Sequence, residues 1–463
     1  MIIYFFKANL QINSNSKLNP DVKILVFLYK SNLNNFVAPA ASVSLRLYNI
    51  LIIFVLAGSS NANSKVDFGS GAGDVGKKIT VGDDAKLLSD SLVDLCASAE
   101  VVIINGGLGP TEDDLTAELV AEVAGNALAN HPKAVEHLEE WCERRGLELN
   151  ASNLKQALLP EGADLVANPI GSAVGFALEV NGALVITTPG VPVELTAMLP
   201  EICDRIATRV GGGTAFIRRL QTFGIGESTI QELVNARTDD WPNGVTLGFR
   251  SGLPQLELKL QVDDVSLLDN RDDAENLLRE LIGDHVIGYD DEQLATSLQR
   301  ALLDRQMSVT AAESCTGGLI ASLITREAGS SQVFGSGFVT YSNTAKHSVL
   351  GVPEASLAQH GAVSEPVVLA MLAGALEKSG SDLGIAVSGI AGPGGGSDDK
   401  PVGTVWIAWG TKAHHRAIRL QVPGSRERFQ ILIAAIGLDI MRRQVLELPP
   451  IPHYIQRFIH RAS

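Results

Sequence analysis

Three times along this chain an apolar run ends in a glycine-bearing loop and passes at once into a segment with helical spacing. "VVIINGGLGPTEDDLTAELV" starts at Val101, "ALVITTPGVPVELTAML" at Ala183 and "VTAAESCTGGLIASLI" at Val309. Strand, tight loop and helix in that order predict α/β domains, because a helix crossing back over a sheet is the compact way to join parallel strands. The pattern also predicts where a ligand sits, in the crevice beyond the carboxyl ends of the strands.

The chain has 463 residues, more than one ordinary domain. Residues 1–46 are an atypical N-terminal extension rich in Asn, Lys and Ser. Residues 47–210 alternate strands and helices and predict a doubly wound domain. Residues 215–285 read as strand, helix, two strands and helix, a small α+β (KH-like) module. A linker around "YDDEQ" precedes a third α/β domain over 292–446, and the Pro-rich tail "LPPIPHYIQRFIHRAS" is expected to pack loosely.

Composition narrows the function classes. A net charge of −15 repels phosphate backbones and argues against direct nucleic-acid binding. Four cysteines form no CxxC or zinc spacing, which predicts reduced thiols in a cytoplasmic protein. The apolar run "LYNILIIFVLAG" is too short for a bilayer, which needs about 20 residues, and reads as a buried first strand.

In the first loop Gly106, Gly107 and Gly109 let the backbone approach a ligand. Asp113 and Asp114 fall in the first turn of the next helix, where carboxylates either cap the helix or hold a divalent metal that bridges phosphates. Glu194, after "TTPGVP", is expected at the same sheet edge. In the third loop Ser314, Cys315 and Thr316 stand in a row before Gly317 and Gly318. Amide or ester hydrolysis needs a nucleophile, a base and oxyanion donors. Ser314 is placed to be the nucleophile, with N–H groups of residues 315–318 as donors. No histidine has a clear partnering motif; His347 and His360 are the nearest. "YSNTAKH" offers Tyr341, Asn343 and Lys346 instead, and a desolvated lysine can take a serine proton. Cys315 is intrinsically more nucleophilic but has no partner in sequence, and Thr316 suits a cap or ligand contact. A second loop, "SGIAGPGGG", offers Ser388, Gly389 and Gly392 to a phosphate or carboxamide, and Arg426 follows in "PGSRERF" with Gln430 behind it.

The long ordered motifs "TAAESCTGGLIASLIT", "GSGFVTYSNTAKHSVLGV", "HGAVSEPV", "AVSGIAGPGGG" and "KPVGTVWIA" closely resemble the C-terminal domain of the CinA family of competence/damage-inducible proteins. "GGLGPTEDDLT", "NLKQALLPEGADLVANPIGSAVGF" and "TTPGVPVEL" resemble its N-terminal, molybdopterin-binding-like domain. The resemblance implies two activities. The C-terminal domain is implied to be an amidohydrolase converting nicotinamide mononucleotide (NMN) to nicotinate mononucleotide and ammonia, without a cofactor. Ser314, Lys346 and Tyr341 would be catalytic there. Glu313, Cys315, Thr316, Gly317, Gly318, Asn343, Ser388, Gly389, Gly392 and Arg426 would bind substrate. Relatives tend to carry an arginine where this chain has Gln430. The N-terminal domain is implied to be a metal-dependent ADP-ribose pyrophosphatase, with Asp114 the matching metal ligand. The start departs from the family: only the strand and Asn61 match, the Gly-Glu loop is missing, and "DFGSGAGD" is a poor helix. The expected partner is a small nucleotide, and a homo-oligomer without membrane association is expected. The alternatives are ADP-ribose hydrolysis as the main activity, or a non-catalytic nucleotide- or molybdopterin-binding accessory protein.

Overall fold

The computed structural model describes the backbone of residues 51–57, 65–67, 72–81, 84–210 and 215–459, with side chains from residue 84 onward. The extension 1–46 and the loop carrying Asn61 lie outside the described residues. The chain divides into two compact units between Ala215 and Phe216.

The first unit is α/β. Its strands are β1 (Leu51–Ala57), β2 (Lys65–Asp67), β3 (Ala72–Val81), β4 (Val101–Asn105), β5 (Leu128–Asn130), β6 (Leu158–Pro160), β7 (Asp164–Val166), β8 (Gly175–Val180) and β9 (Ala183–Thr188). Seven of them form one sheet in the order β2-β3-β1-β4-β9-β8-β7, and β5 pairs with β6 apart from it. Only β4 and β9 are parallel within the large sheet; the other pairs run antiparallel. β1, β2 and β3 follow each other too closely for the helical crossover that parallel pairing requires. Of the stretch "DFGSGAGD", Asp67 ends β2 and Ala72 opens β3. All five residues of β4 are buried. Helix Ala85–Cys96 buries Leu88, Leu92 and Leu95 at helical spacing. The two glycine loops expected to form a crevice thus leave the carboxyl ends of the parallel neighbours β4 and β9.

The second unit begins with β10 (Phe216–Thr222), β11 (Thr246–Ser251), β12 (Leu256–Val262) and β13 (Val286–Tyr289). They form an antiparallel sheet in the order β11-β12-β10-β13. Ile230 and Val234 of helix Glu227–Asn235, and Ala274, Leu278 and Ile282 of helix Leu268–Ile282, share its core. The stretch after β13 is no loose linker. Asp290 N–H donates to the Arg219 carbonyl, the Gln255 side chain donates to the Glu292 carbonyl at 3.2 Å, and Leu294 N–H returns to Gln255 Oε1 at 3.1 Å.

Next come β14 (Val309–Glu313), β15 (Gly337–Val339), β16 (Leu383–Gly389), β17 (Thr404–Gly410) and β18 (His415–Gln421). Their order is β15-β14-β16-β17-β18, the first three parallel and the last two antiparallel. Alternating residues face two cores. Val309, Ala311, Ile385 and Ile407 pack with helices Leu294–Asp304, Leu319–Thr325 and Arg426–Val445. Ala312, Ala386 and Ala408 pack with Val368, Met371, Leu372 and Leu350 of the opposite layer. These three alanines leave room for helix Glu365–Ser379 to lie close.

That helix also crosses close to helix Asn343–Leu350. A Cβ on Gly374 would stand 2.0 Å from the Leu350 carbonyl oxygen. The obstacle is backbone, so the helices must part. Gly374→Ala is expected to cost about 1–3 kcal/mol by overpacking, read as a lowered urea midpoint at unchanged slope.

The tail does not pack loosely. Helix His453–Gln456 buries Tyr454 and Ile455, and the Tyr454 ring meets Phe223 edge-on with centroids 5.2 Å apart. Its hydroxyl donates to Asp439 at 2.8 Å. Asp439 also receives Arg442 at 2.7 Å and Arg443 at 2.8 Å, all three nearly fully buried. Arg443 reaches Asp284 as well, and Arg442 donates to the Asp284 carbonyl at 2.9 Å. The pattern of the tail, apolar residues scattered among prolines and charges, gave no hint of this partner network.

Candidate active site

β14 is the central strand of three parallel ones, and three loops leave their carboxyl ends side by side: 314–318, 340–342 and 390–396. The first begins at Ser314, whose N–H donates to the Val387 carbonyl of β16 at 3.0 Å. It turns back through Gly317 and Gly318, with φ of 66° and 100°. That left-handed backbone strains any residue with a Cβ, which is why the Gly-Gly pair stands here. Helix Leu319–Thr325 follows.

Lys346 lies on helix Asn343–Leu350, which Ser342 caps by accepting from Ala345 N–H at 3.0 Å. The lysine is wholly buried. Its Nζ donates to Ser314 Oγ at 2.9 Å, to the Thr340 carbonyl at 2.8 Å and to the Tyr341 carbonyl at 3.2 Å. Burial without a carboxylate partner lowers its pKa from 10.5 to about 8. A buried amine with a lowered pKa, in contact with a serine hydroxyl, has the chemistry a general base needs beside a nucleophile.

The neighbours of Ser314 resolve the row of three. Burial pushes the Cys315 thiol up to about 12, so it is a neutral thiol at neutral pH and a poor nucleophile. Thr316 donates its hydroxyl to Glu313 at 2.6 Å. The two histidines lie elsewhere: His347 Nδ1 meets the Val352 carbonyl at 2.9 Å, and the His360 carbonyl accepts from Lys400.

Several residues expected to touch substrate do something else. Glu313 is fully buried, and its carboxylate accepts from Thr316 Oγ1 and from the N–H groups of Gly318, Ile320 and Ala321. It is closed off from any ligand. The loop's own N–H groups are correspondingly fewer than expected. Gly317 donates to the Ser314 carbonyl and Gly318 to Glu313. Those of Cys315 and Thr316 make no main-chain bond among the described residues. Ser388 is buried and donates its hydroxyl to the Ala362 carbonyl at 2.7 Å. Gly389 is a packing glycine, since a Cβ there would meet the Thr404 carbonyl oxygen at 2.8 Å. Tyr341 touches Lys346 only through its backbone carbonyl; its phenol is 60% exposed and accepts from Arg426 at 2.8 Å. Arg426 also donates to the Gly392 carbonyl at 3.0 Å. Tyr341 and Arg426 therefore form an exposed rim tied to the buried Gly392, with Asn343 exposed at the start of the lysine helix.

Two contacts escape sequence reasoning. The Thr340 carbonyl is an acceptor for Lys346, which no residue type announces. Gln430 donates to the Cys315 carbonyl at 2.9 Å and braces the nucleophile loop from helix Arg426–Val445. The departure from arginine at this position was its one signal.

In the first unit the glycine loop does form at the end of β4. Gly106 N–H donates to the Thr188 carbonyl, and Asn105 binds the Pro189 carbonyl at 2.7 Å, so the two loops are tied together. Asp114 accepts from Thr111 N–H at 3.0 Å and from its hydroxyl at 2.6 Å, both on Oδ2. Lys155 donates to the Thr111 and Asp114 carbonyls. Gly109 leaves room for this carboxylate: a Cβ there would be 2.3 Å from Asp114 Oδ2. Glu194 accepts from Asn168 at 2.8 Å, beside Gly171. Among the described residues no group of three or more His, Cys, Asp or Glu is placed to hold a metal ion. Within that loop Asp114 Oδ2 is occupied by Thr111, and Oδ1 makes no hydrogen bond among the described residues. Among the described residues no helix is long and apolar enough to cross a membrane.

Residues 291–445 match the family model described as CinA C-terminal domain, and residues 68–208 match the probable molybdopterin binding domain. A CinA-like protein of Colwellia psychrerythraea is 46% identical over 386 residues, covering 82% of this chain and 89% of the relative. One from Geobacter metallireducens is 40% identical over 375 residues, covering 80% of this chain and 91% of the relative. Among solved structures, a CinA superfamily protein from Klebsiella pneumoniae is 38% identical, covering 33% of this chain and 96% of its own, with a TM-score of 0.33.

Proposed function

Because this chain belongs to the CinA family, we propose that its second unit hydrolyses the carboxamide of NMN to nicotinate mononucleotide and ammonia. The observation that carries this reading is the buried Lys346 amine 2.9 Å from Ser314 Oγ. The neutral amine takes the hydroxyl proton as Oγ attacks the carboxamide carbon. Charge gathers on the carbonyl oxygen, which the N–H groups of Cys315 and Thr316 receive. The C–N bond breaks as Lys346 passes its proton to the departing nitrogen, and ammonia leaves. Lys346 then takes a proton from water, whose oxygen attacks the ester. The acid departs as the proton returns to Ser314. Arg426 at the rim, two donors held in a fixed fork, suits the substrate's phosphate, and Tyr341 holds that fork in place. The deciding experiment is ammonia release from NMN by the purified full chain; no release above a protein-free control ends the reading.

The tied glycine loops of the first unit support a second reading, a phosphate-bearing nucleotide such as ADP-ribose in that crevice. Hydrolysis of ADP-ribose that survives Ser314→Ala and drops at least 10-fold in Asp114→Ala is the expected result, measured by phosphate-product release after phosphatase treatment. Unchanged turnover in Asp114→Ala excludes the role of that residue.

A further inference from the structure

The mechanism leaves one buried ionisable group without a part. Glu313 is the last residue of β14, fully buried directly before the nucleophile. Among the described residues its four hydrogen bonds reach neither Ser314 nor Lys346; all go forward into the loop and helix. Oε2 accepts from the Thr316 hydroxyl at 2.6 Å and from Gly318 and Ile320 N–H at 3.0 Å each, and Oε1 accepts from Ala321 N–H at 2.8 Å. A carboxylate has about four acceptor sites, and here each bond comes from a donor.

Two consequences follow for the turn. The N–H groups that a helix start ordinarily offers to an anion are taken by the protein's own carboxylate, so a substrate phosphate has no seat at helix Leu319–Thr325. The chain from 314 to 321 is also wrapped around one fixed point. That leaves Cys315 and Thr316 as the loop residues whose N–H groups are without a main-chain partner among the described residues, immediately after Ser314 Oγ in the chain. The Gln430 contact to the Cys315 carbonyl fixes the same peptide from its other side.

We infer that Glu313 is a positioning residue: its carboxylate shapes the 314–318 turn so that the Cys315 and Thr316 N–H groups form a ready-made oxyanion hole. This rests on the amidohydrolase reading of the site. An oxyanion donor is worth about 10²–10³ in kcat, and a donor that is merely displaced loses most of that.

Glu313→Gln keeps the shape but replaces one acceptor oxygen by an NH2 that faces N–H donors. In the full chain kcat for NMN is expected to fall about 100-fold, with KM changed less than about threefold. A purely structural role would reduce the folded fraction and leave kcat per folded molecule alone. A second readout does not need NMN. A fluorophosphonate probe labels an activated serine as Oγ displaces fluoride, and its P=O oxygen uses the same donors. Labelling of Ser314, located by peptide mass spectrometry, is expected to slow about 100-fold in Glu313→Gln. If the wild type is labelled but inert toward NMN, the substrate assignment fails while slowed labelling upholds Glu313. Labelling at the wild-type rate in folded Glu313→Gln overturns the inference, and so does an equal loss in KM and kcat. If Glu313→Gln does not fold, Thr316→Val removes one of the four bonds without touching the charge. It is expected to slow labelling about 10-fold, and an unchanged rate overturns the inference.

Discussion

Ser314→Ala is expected to abolish ammonia release from NMN, by at least about 10⁴-fold in kcat. The magnitude follows from what is lost. Without Oγ no covalent intermediate forms, and the oxyanion donors alone retain a small residue of catalysis over water. The substitution removes one atom from a side chain that is 7% exposed, so the fold should tolerate it, and NMN should still bind. Calorimetric binding of NMN by a Ser314→Ala protein that makes no ammonia supports direct attack. A variant that keeps a tenth of the activity or more would show instead that water is the nucleophile and Ser314 only a contact.

Lys346→Met, similar in length and uncharged, is expected to lose on the order of 10⁴-fold, because Lys346 is the titratable group that hydrogen-bonds Ser314 Oγ among the described residues. The pH dependence supplies an independent signature. Burial has moved this amine from 10.5 to about 8, and the neutral form is the base. Below pH 8 the group is protonated and inactive as a base; kcat/KM should rise about tenfold per pH unit up to about 8 and level off above it. That limb should be absent from the residual rate of Lys346→Met. A profile flat from pH 6 to 9 in the wild type excludes Lys346 as the base. The same shift has a sign for stability. Between pH 8 and 10.5 the unfolded chain binds the proton and the native one does not, so the side chain's contribution to stability climbs with pH through that window. At lower pH the buried ammonium costs about 3 kcal/mol relative to water, partly offset by the Thr340 and Tyr341 carbonyls that receive it.

The fold class was legible because it rests on periodicity. Apolar runs such as Val101–Asn105 and Val309–Glu313 became central strands, and the residues after each glycine loop became helices. The pairing of Ser314 with Lys346 was legible too, since Ser314 precedes a Gly-Gly turn and Lys346 lies one helix turn into a segment capped by Ser342. What sequence did not carry was direction. Glu313 and Ser388 are polar residues in the right loops, yet both turn away from the ligand side and bond the protein. Tyr341 was expected to act through its phenol and instead touches the lysine through its carbonyl. Burial decides such cases, and burial of a single side chain depends on which strand lies next to which, as with β16 beside β14. The tail failed for the same reason: Tyr454 finds its place only once Phe223 and Asp439, distant in sequence, come together.

Helix Arg426–Val445 reaches from the rim of the site to the small antiparallel sheet. Arg426 and Gln430 hold two of the loops at the strand ends, while Arg442 and Arg443 grip Asp284 at the other end. With 20 residues it is a strut of about 30 Å. A fragment cut at residue 291, where the family's C-terminal segment begins, would lose Asp284 and leave Arg443 with Asp439 and the Pro449 carbonyl. Stripping one partner from a buried ion pair costs about 3–5 kcal/mol. The natural place to trim this protein is therefore before Phe216 and after Ile459, so that the strut keeps both of its footings.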